Sequence, residues 1–180
     1  MKNEQYYKEF IATIPDFPKK GIMFRDITPT VENAEAFKNV IDDLAELSKQ
    51  YNFNKIICAD ARGFLFGSAL AYKLNKGLVL ARKPGKLPSP GFSFSYDLEY
   101  GSNTLVIPKD SISSNDRVLV IDDLLATGGS AGAMIELVKM SKATPVAAFF
   151  YIELPDLNGR ANMKKVEDLP IHSLVFFEGE

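Results

Sequence analysis

The spacing of apolar side chains changes along the chain. In the first quarter, apolar residues recur every three or four positions, which is the period of an amphipathic helix. One stripe spans residues 6–14 and is ended by Pro15 and Pro18, and a second spans 37–47. Both stripes predict short helices with one face on a core.

From residue 55 onward, short apolar runs alternate with helical patterns. The runs at 55–59, 78–81, 117–121 and 146–152 read as buried strands, and 64–74 (closed by Gly77) and 130–142 read as helices. Near-continuous apolar strands separated by helices are typical of a parallel sheet covered on both faces. Ligands bind at the carboxyl ends of such strands, so the loops at 60–63, 82–91 and 122–130 are expected to converge.

The segment 92–107 alternates aromatic and polar residues without a helical period. It predicts an excursion from the sheet, either a hairpin or a long loop. One interpretation is a mobile lid over 87–105 with Gly91 and Gly101 as hinges. The other is a stably packed hairpin, which Phe92 and Phe94 favour.

Composition narrows the class of protein. The chain has 180 residues, which favours a single domain over 1–180, and 21 basic against 23 acidic side chains give a net charge of -2. This charge offers no general attraction to nucleic acid, and no apolar run approaches a membrane span. We therefore expect a cytoplasmic protein without nucleic-acid or membrane partners. The single Cys58 and single His172 are interpreted as structural.

The most informative segment runs from 118 to 130, VLVIDDLLATGGS. A buried strand ends in two carboxylates, and a turn of small and hydroxyl residues then enters a helix. Backbone N–H groups of such a turn, together with the helix N-terminus, form a cradle for phosphate. The residues of this predicted cradle are Ala126, Thr127, Gly128, Gly129 and Ser130. Neither a Walker P-loop nor a dinucleotide fingerprint is present.

Two carboxylates beside a phosphate site need a reason, since they repel the anion. Asp122 and Asp123 fit if they hold the hydroxyls of a sugar that carries the phosphate, or meet a Mg²⁺ bound to it. Ribose 5-phosphate satisfies this description. The alternative is a solvated strand end without a function.

The segment 122–130 resembles the signature of the type I phosphoribosyltransferases. GIMFRDITP (21–29), ARGFLFG (61–67), RKPGKLP (82–88) and YDLEYG (96–101) resemble the branch of that family that acts on adenine. Ser130 stands where Thr is more usual, and Ala61 where some members have Ser. The resemblance implies an α/β fold with a central, mostly parallel sheet flanked by helices, a small N-terminal hood (1–33) and a mobile catalytic loop (87–105).

The resemblance also implies a reaction: Mg²⁺-dependent transfer of the 5-phosphoribosyl group from phosphoribosyl pyrophosphate to adenine, giving AMP and pyrophosphate. Asp122 and Asp123 would then hold the ribose hydroxyls, and 126–130 the 5′-phosphate. The implied pyrophosphate ligands are Arg62, Lys83 and Lys86. The Asp60–Ala61 peptide would match the family's cis bond, no Mg²⁺ ligand is assigned directly, and a homodimer is usual.

For the base, the resemblance implies stacking between Phe24 and Leu124, with the backbone near Met23 and the side chain of Arg25 at the base edge. Glu99 and Tyr100 would join Arg62 as catalytic residues when the loop closes. Glu99 is interpreted either as a general acid or as an ionised acceptor. Without the resemblance, Phe24 reads as a core residue, and the basic residues of 82–86 as a solvated loop.

Two other functions remain open. One is the same transfer to hypoxanthine, guanine or xanthine, which usually requires a Lys at the 6-oxo group. The other is a regulator that senses phosphoribosyl pyrophosphate and binds nucleic acid, which requires a helix-turn-helix and a basic face. The short predicted N-terminal helix and the negative charge argue against it.

Overall fold

The computed structural model describes residues 1–88, 90–97 and 102–179. In these residues a five-stranded parallel sheet forms the centre. Its strands are β3 (Lys55–Ala59), β4 (Gly77–Ala81), β7 (Arg117–Leu125), β8 (Thr144–Glu153) and β9 (Ile171–Phe176). They lie in the order β4-β3-β7-β8-β9. The predicted α/β class with a parallel sheet is confirmed.

Helices cover both faces of the sheet. They are α3 (Ala34–Ser48), α4 (Gly63–Leu74), α5 (Gly129–Met140) and α6 (Gly159–Val166), with a 3-10 turn at Pro155–Leu157. Alternate side chains of β7 face opposite layers: Leu119 and Ile121 share a core with α3 and α4, whereas Val118 and Val120 share one with α5. The two cores explain why these strands read as unbroken apolar runs. No helix among the described residues is both long and apolar enough to cross a bilayer.

The N-terminal segment differs from its prediction. It contains α1 (Glu4–Lys8), β1 (Ala12–Pro15), β2 (Met23–Asp26) and α2 (Thr28–Glu32). The predicted helix over 6–14 is wrong beyond Lys8, because the chain turns there into an antiparallel pair of strands, β1 and β2. Ile14 points to solvent on β1, so its helical spacing from Tyr6 reflected no shared buried face.

The segment after β4 is a hairpin. β5 (Gly91–Asp97) pairs antiparallel with β6 (Ser102–Pro108), and Phe92 and Phe94 pack against the core on the α5 side. Of the two predicted forms, the described residues therefore show the hairpin. Movement of 87–105 on ligand binding stays a prediction.

The strand order creates a crevice. β3 and β7 are neighbours in the sheet. The chain leaves β3 toward β4 on one side and leaves β7 toward β8 on the other, so the two connections run in opposite directions. Two predicted boundaries are corrected. Asn75, in the left-handed conformation, ends α4 in place of Gly77, and β7 continues to Leu125, so Asp122 and Asp123 lie within the strand.

Candidate functional site

A cleft of about 340 Å³ lies at the carboxyl ends of β3 and β7. Its walls come from 59–62 after β3, 122–131 after and within β7, Lys83, Tyr96 and the β6 residues 103–105. The predicted loops at 60–63 and 122–130 therefore meet here. From the predicted loop at 82–91, Lys83 alone among the described residues lines the cleft.

The acidic pair lies on the cleft floor. Asp122 is 8% exposed and Asp123 is 5% exposed. The Asp123 backbone N–H donates to Asp122 Oδ1 at 2.9 Å. Gly63, at the start of α4, leaves room for this carboxylate, because a Cβ there would lie 2.5 Å from Asp122 Oδ1. The glycine at position 63 therefore leaves the space that the Asp122 side chain occupies beside the neighbouring strand.

Arg62 faces the pair from the end of β3. Its Nε lies 2.9 Å from Asp123 Oδ2, yet the N–H is not directed at that oxygen, so Oδ2 is buried without a hydrogen-bond donor among the described residues. A buried acceptor without a donor is costly unless a ligand supplies one. The hydroxyl of a bound sugar is a suitable donor.

Burial and mutual repulsion change the acidity of the pair. Burial raises the pKa of Asp122 well above its ordinary value, and the neighbouring Asp123 carboxylate raises it further. Burial also raises the pKa of Asp123, while the Arg62 guanidinium opposes that rise. Such perturbed carboxylates in a cleft are typical of functional sites.

The predicted cradle leads into α5. Gly128 precedes the helix with φ +85°, a conformation that disfavours residues with a side chain. Since Gly128 has no side chain to cap α5, the N–H groups of the first turn are left for an outside acceptor. Ser130 contributes a hydroxyl whose Oγ lies 3.0 Å from the Tyr96 hydroxyl.

Helix α6 supports the cradle from behind. Asn162 Nδ2 donates to the Thr127 carbonyl at 3.0 Å. A Cβ on Gly159 would overlap the Ala126 carbonyl oxygen and lie 2.8 Å from Leu125 Cδ1. These two α6 residues were not predicted, because no local motif links them to a loop more than thirty residues away.

Phe24, on β2, lies beside Arg62 and is not among the residues that line the main cleft. The Arg62 guanidinium carbon lies 5.2 Å from the Phe24 ring centroid, within the range of a cation–π contact. A cavity of about 210 Å³ continues from there, lined by Phe24, Arg62 and Leu65 among others. Leu124 lines the main cleft. The two predicted stacking residues therefore border adjoining cavities.

Other predicted residues lie elsewhere. Arg25 Nη1 donates to Thr13 Oγ1 at 2.5 Å and its guanidinium carbon lies 4.1 Å from the Phe177 ring centroid, so the side chain packs outside the main cleft. Met23 and Lys86 are exposed and do not line that cleft. The roles implied for these three residues stay predictions.

Two further expectations concern the loops. The Asp60–Ala61 peptide is cis, as the sequence resemblance implied. Glu99 and Tyr100 lie outside the residues that the structure describes.

The arrangement suits one class of ligand. The cradle at 126–130 can hold a phosphomonoester, the buried carboxylates can accept from neighbouring hydroxyls, and Arg62 with Lys83 can hold a second anion. Because the three groups share one cleft, a phosphorylated sugar with a second anionic substituent fits best. Among the described residues, no three Asp, Glu, His or Cys side chains gather closely enough to bind a metal ion by themselves.

Comparisons with known proteins agree with this chemistry. The family model described as the phosphoribosyl transferase domain matches residues 30–167. An adenine phosphoribosyltransferase from Fervidobacterium nodosum is 54% identical over 91% of this chain and 95% of its own length. The crystal structure of the adenine phosphoribosyltransferase from Thermoanaerobacter pseudethanolicus superposes with a TM-score of 0.92 at 45% identity, covering 97% of this chain and 100% of that one.

The Saccharomyces cerevisiae adenine phosphoribosyltransferase is also similar, with a TM-score of 0.87 and 37% identity over 95% of this chain and 97% of that one. Its crystal structure is a complex with adenine and D-2,5-dideoxy-2,5-imino-altritol 1,6-bisphosphate. The second ligand is a bisphosphate of a sugar-like ring, which is the ligand class inferred from the cleft.

Proposed function

The chain belongs to the phosphoribosyltransferase family, within its adenine branch, and on that premise we propose that it transfers the 5-phosphoribosyl group from phosphoribosyl pyrophosphate to adenine. The products are AMP and pyrophosphate, and the reaction salvages a purine base. The observation that carries this proposal is the shared cleft of the phosphate cradle, the buried acidic pair and Arg62.

Each end of the sugar substrate has a partner in the proposal. The backbone N–H groups and hydroxyls of 126–130 bind the 5′-phosphate. Asp122 and Asp123 accept hydrogen bonds from the ribose hydroxyls, which supplies the donor that Asp123 Oδ2 lacks. Arg62, Lys83 and Lys86 bind the pyrophosphate group, with Lys83 already at the cleft wall.

The chemical step breaks the bond between the anomeric carbon and pyrophosphate and forms one to a ring nitrogen of adenine, whose N–H proton is released to pyrophosphate or to solvent. Positive charge develops on the sugar, as in an oxocarbenium ion, and negative charge develops on the departing pyrophosphate. Arg62 stabilises that departing charge, and the buried carboxylates fix the ribose so that the anomeric carbon faces the base. Catalysis is therefore mainly positioning and electrostatic stabilisation.

Adenine is placed between Phe24 and Leu124. Phe24 borders one cavity, Leu124 borders the main cleft, and Arg62 lines both spaces. A base stacked between the two side chains would lie across these two spaces. Stacking alone discriminates weakly between purines, so the backbone near Met23 and the side chain of Arg25 read the base edge. For Arg25 this role requires its guanidinium to leave Thr13 and Phe177.

Mg²⁺ fits this site as a cation that arrives with the substrate. Mg²⁺ commonly binds through one or two carboxylates plus substrate phosphates. Asp122 and Asp123 are carboxylates of the cleft that are available to accept hydrogen bonds from the waters of a hydrated ion. When bound, Mg²⁺ neutralises charge on the pyrophosphate.

A closing loop completes the proposed site. Residues 87–105 carry Glu99 and Tyr100 over the base and exclude water, which would otherwise hydrolyse the activated sugar. The hood over 1–33 and this loop are parts of one domain spanning 1–180.

A homodimer is proposed on separate grounds. Leu65 and Tyr72 lie seven residues apart on α4 and are exposed, Tyr72 to 92%, and Leu78 and Leu80 are exposed on the edge strand β4. Exposed apolar side chains on both α4 and β4 favour burial in an interface with a second copy of the chain. Sedimentation equilibrium should give a dimer for the wild type and a shift to monomer for Tyr72→Lys; a monomeric wild type would refute it.

The activity itself is tested by incubating the protein with adenine, phosphoribosyl pyrophosphate and Mg²⁺. Chromatography should show AMP and pyrophosphate in equal amounts. Excess chelator should abolish both products. Product formation that persists in chelator would refute the role of Mg²⁺, and no AMP under any condition would refute the activity.

A further inference from the structure

Tyr96 joins the hairpin to the phosphate cradle. Its hydroxyl lies 3.0 Å from Ser130 Oγ, although 34 residues separate the two in sequence. Tyr96 belongs to β5, and Ser130 belongs to the first turn of α5. The hairpin thus contacts the cradle through a hydroxyl group that is able to donate or accept.

Tyr96 also forms a wall. It lines the main cleft on one side and, on the other, a separate cavity of about 250 Å³ between the hairpin, α5 and α6. On β5, Tyr96 follows Phe92 and Phe94 at intervals of two residues, and all three pack against the core on the α5 side. Since alternate side chains of a strand share one face, the hairpin places Tyr96 on the face that packs toward α5 and the cradle.

Tyr96 would add a hydrogen-bond donor to a cradle that has no basic side chain of its own. Residues 126–131 include no Lys or Arg, so the donors within this segment are backbone amides and the hydroxyls of Thr127 and Ser130. A phosphate dianion presents three acceptor oxygens, each able to take more than one hydrogen bond. A phosphate that binds at Ser130 Oγ comes within reach of any hydroxyl already hydrogen-bonded to that atom.

We propose that Tyr96 is a ligand of the 5′-phosphate and donates its hydroxyl hydrogen bond to a phosphate oxygen. The inference rests on the proposed function, because it assigns the phosphate of AMP and of phosphoribosyl pyrophosphate to this cradle. It ties the position of the hairpin to the occupancy of the phosphate site. Ligands without the phosphate would leave Tyr96 on Ser130.

A thermodynamic cycle between protein and ligand tests this assignment. Calorimetry measures the binding of AMP and of adenosine to the wild type and to Tyr96→Phe, which keeps the ring and loses the hydroxyl. A charge-assisted hydrogen bond predicts that AMP binding weakens by about tenfold or more. Adenosine binding should change by less than about twofold, since the hydroxyl then meets no phosphate.

The matched control is Tyr6→Phe. Tyr6 is partly buried on α1 and its hydroxyl accepts from Asn39 Nδ2 at 2.9 Å, so the variant also removes one neutral hydrogen bond. It should bind AMP as the wild type does.

Unchanged AMP affinity in Tyr96→Phe overturns the inference. An equal loss of affinity for AMP and for adenosine also overturns it, because Tyr96 would then only line the cleft without binding the phosphate. Adenine turnover by the wild type judges the proposed function separately. If the wild type forms AMP and either of these two results is found, the proposed function is retained and Tyr96 is not a ligand of the phosphate. A wild type that binds AMP no better than adenosine would overturn the inference as well.

Discussion

Replacing Asp122 with Asn should make the protein more stable and less active. In the folded protein without ligand, Asp122 is 8% exposed and adjacent to a second buried carboxylate, Asp123. Both conditions disfavour the charged form and raise the pKa of Asp122. Asn keeps an oxygen that can accept from the Asp123 N–H, and it removes the buried charge.

The sign follows from linkage between protonation and folding. A carboxyl whose pKa is higher in the folded than in the unfolded state lowers stability at pH values above both, and this cost disappears once the pH falls below the unfolded value. Each unit of pKa difference corresponds to about 1.4 kcal/mol. We therefore expect Asp122→Asn to have a larger free energy of unfolding than the wild type at pH 7.5; each gain of about 1 kcal/mol would appear as roughly 2–4 °C in Tm for a domain of this size.

Activity should change in the opposite direction. Loss of a charged acceptor for a ribose hydroxyl should lower kcat/KM at least about tenfold, which corresponds to about 1.4 kcal/mol of transition-state stabilisation. The same loss is expected for Asp123→Asn.

Thermal unfolding between pH 4 and 8, followed by circular dichroism, measures the stability difference, with AMP formation as the activity assay. Asp110→Asn, which alters an exposed carboxylate, is the control and should change neither property. The gain of Asp122→Asn should be largest at high pH and shrink as the pH falls. A destabilised Asp122→Asn at pH 7.5 would refute the electrostatic reasoning, and wild-type turnover would refute the role in binding ribose.

Three other outcomes follow from the structure. Gly159→Ala should displace the cradle through the Ala126 carbonyl and weaken AMP binding at least about tenfold. Gly77→Ala should not weaken it, because the atom nearest to a Cβ there, at 3.3 Å, belongs to the flexible Lys55 side chain. Burial raises the pKa of Asp116, but hydrogen bonds, the largest from Lys55, outweigh it and hold the pKa well below its ordinary value. Asp116→Asn should therefore lower the free energy of unfolding by roughly 2 kcal/mol at pH 7, and by less below the ordinary Asp pKa. The same loss at both pH values would contradict this reasoning. Limited proteolysis should cleave within 87–105 without ligand and be blocked by phosphoribosyl pyrophosphate with a non-reacting adenine analogue. Equal resistance in both states would favour the stably packed hairpin.

The sheet and its central motif could be predicted because their signals are local. A strand buried on both faces must be apolar along its length, so β3, β7 and β8 are visible as runs. The cradle is visible for a similar reason, since small residues before a helix are contiguous in the chain. Gly128 illustrates this, because its positive φ belongs to a turn whose residues are all neighbours in sequence.

The rest of the site depends on contacts between distant residues. Asn162 and Gly159 support the cradle, and Tyr96 reaches Ser130, only because α6 and the hairpin pack against α5. Spacing along the sequence carries no information about such contacts. The orientation of Arg25 shows the same limit: the segment containing it was identified, while its contacts with Thr13 and Phe177 arise from the packing of β2 beside the C-terminal end.

The most direct test of the central claim is a competition among bases. The protein is given phosphoribosyl pyrophosphate, Mg²⁺ and an equimolar mixture of adenine, hypoxanthine, guanine and xanthine, and the nucleotides are separated by chromatography. The account predicts that AMP is the dominant product and that pyrophosphate appears in equal amount to the total nucleotide. A larger yield of IMP, GMP or XMP than of AMP would contradict the assignment of adenine, and the absence of every nucleotide would contradict the transfer reaction itself.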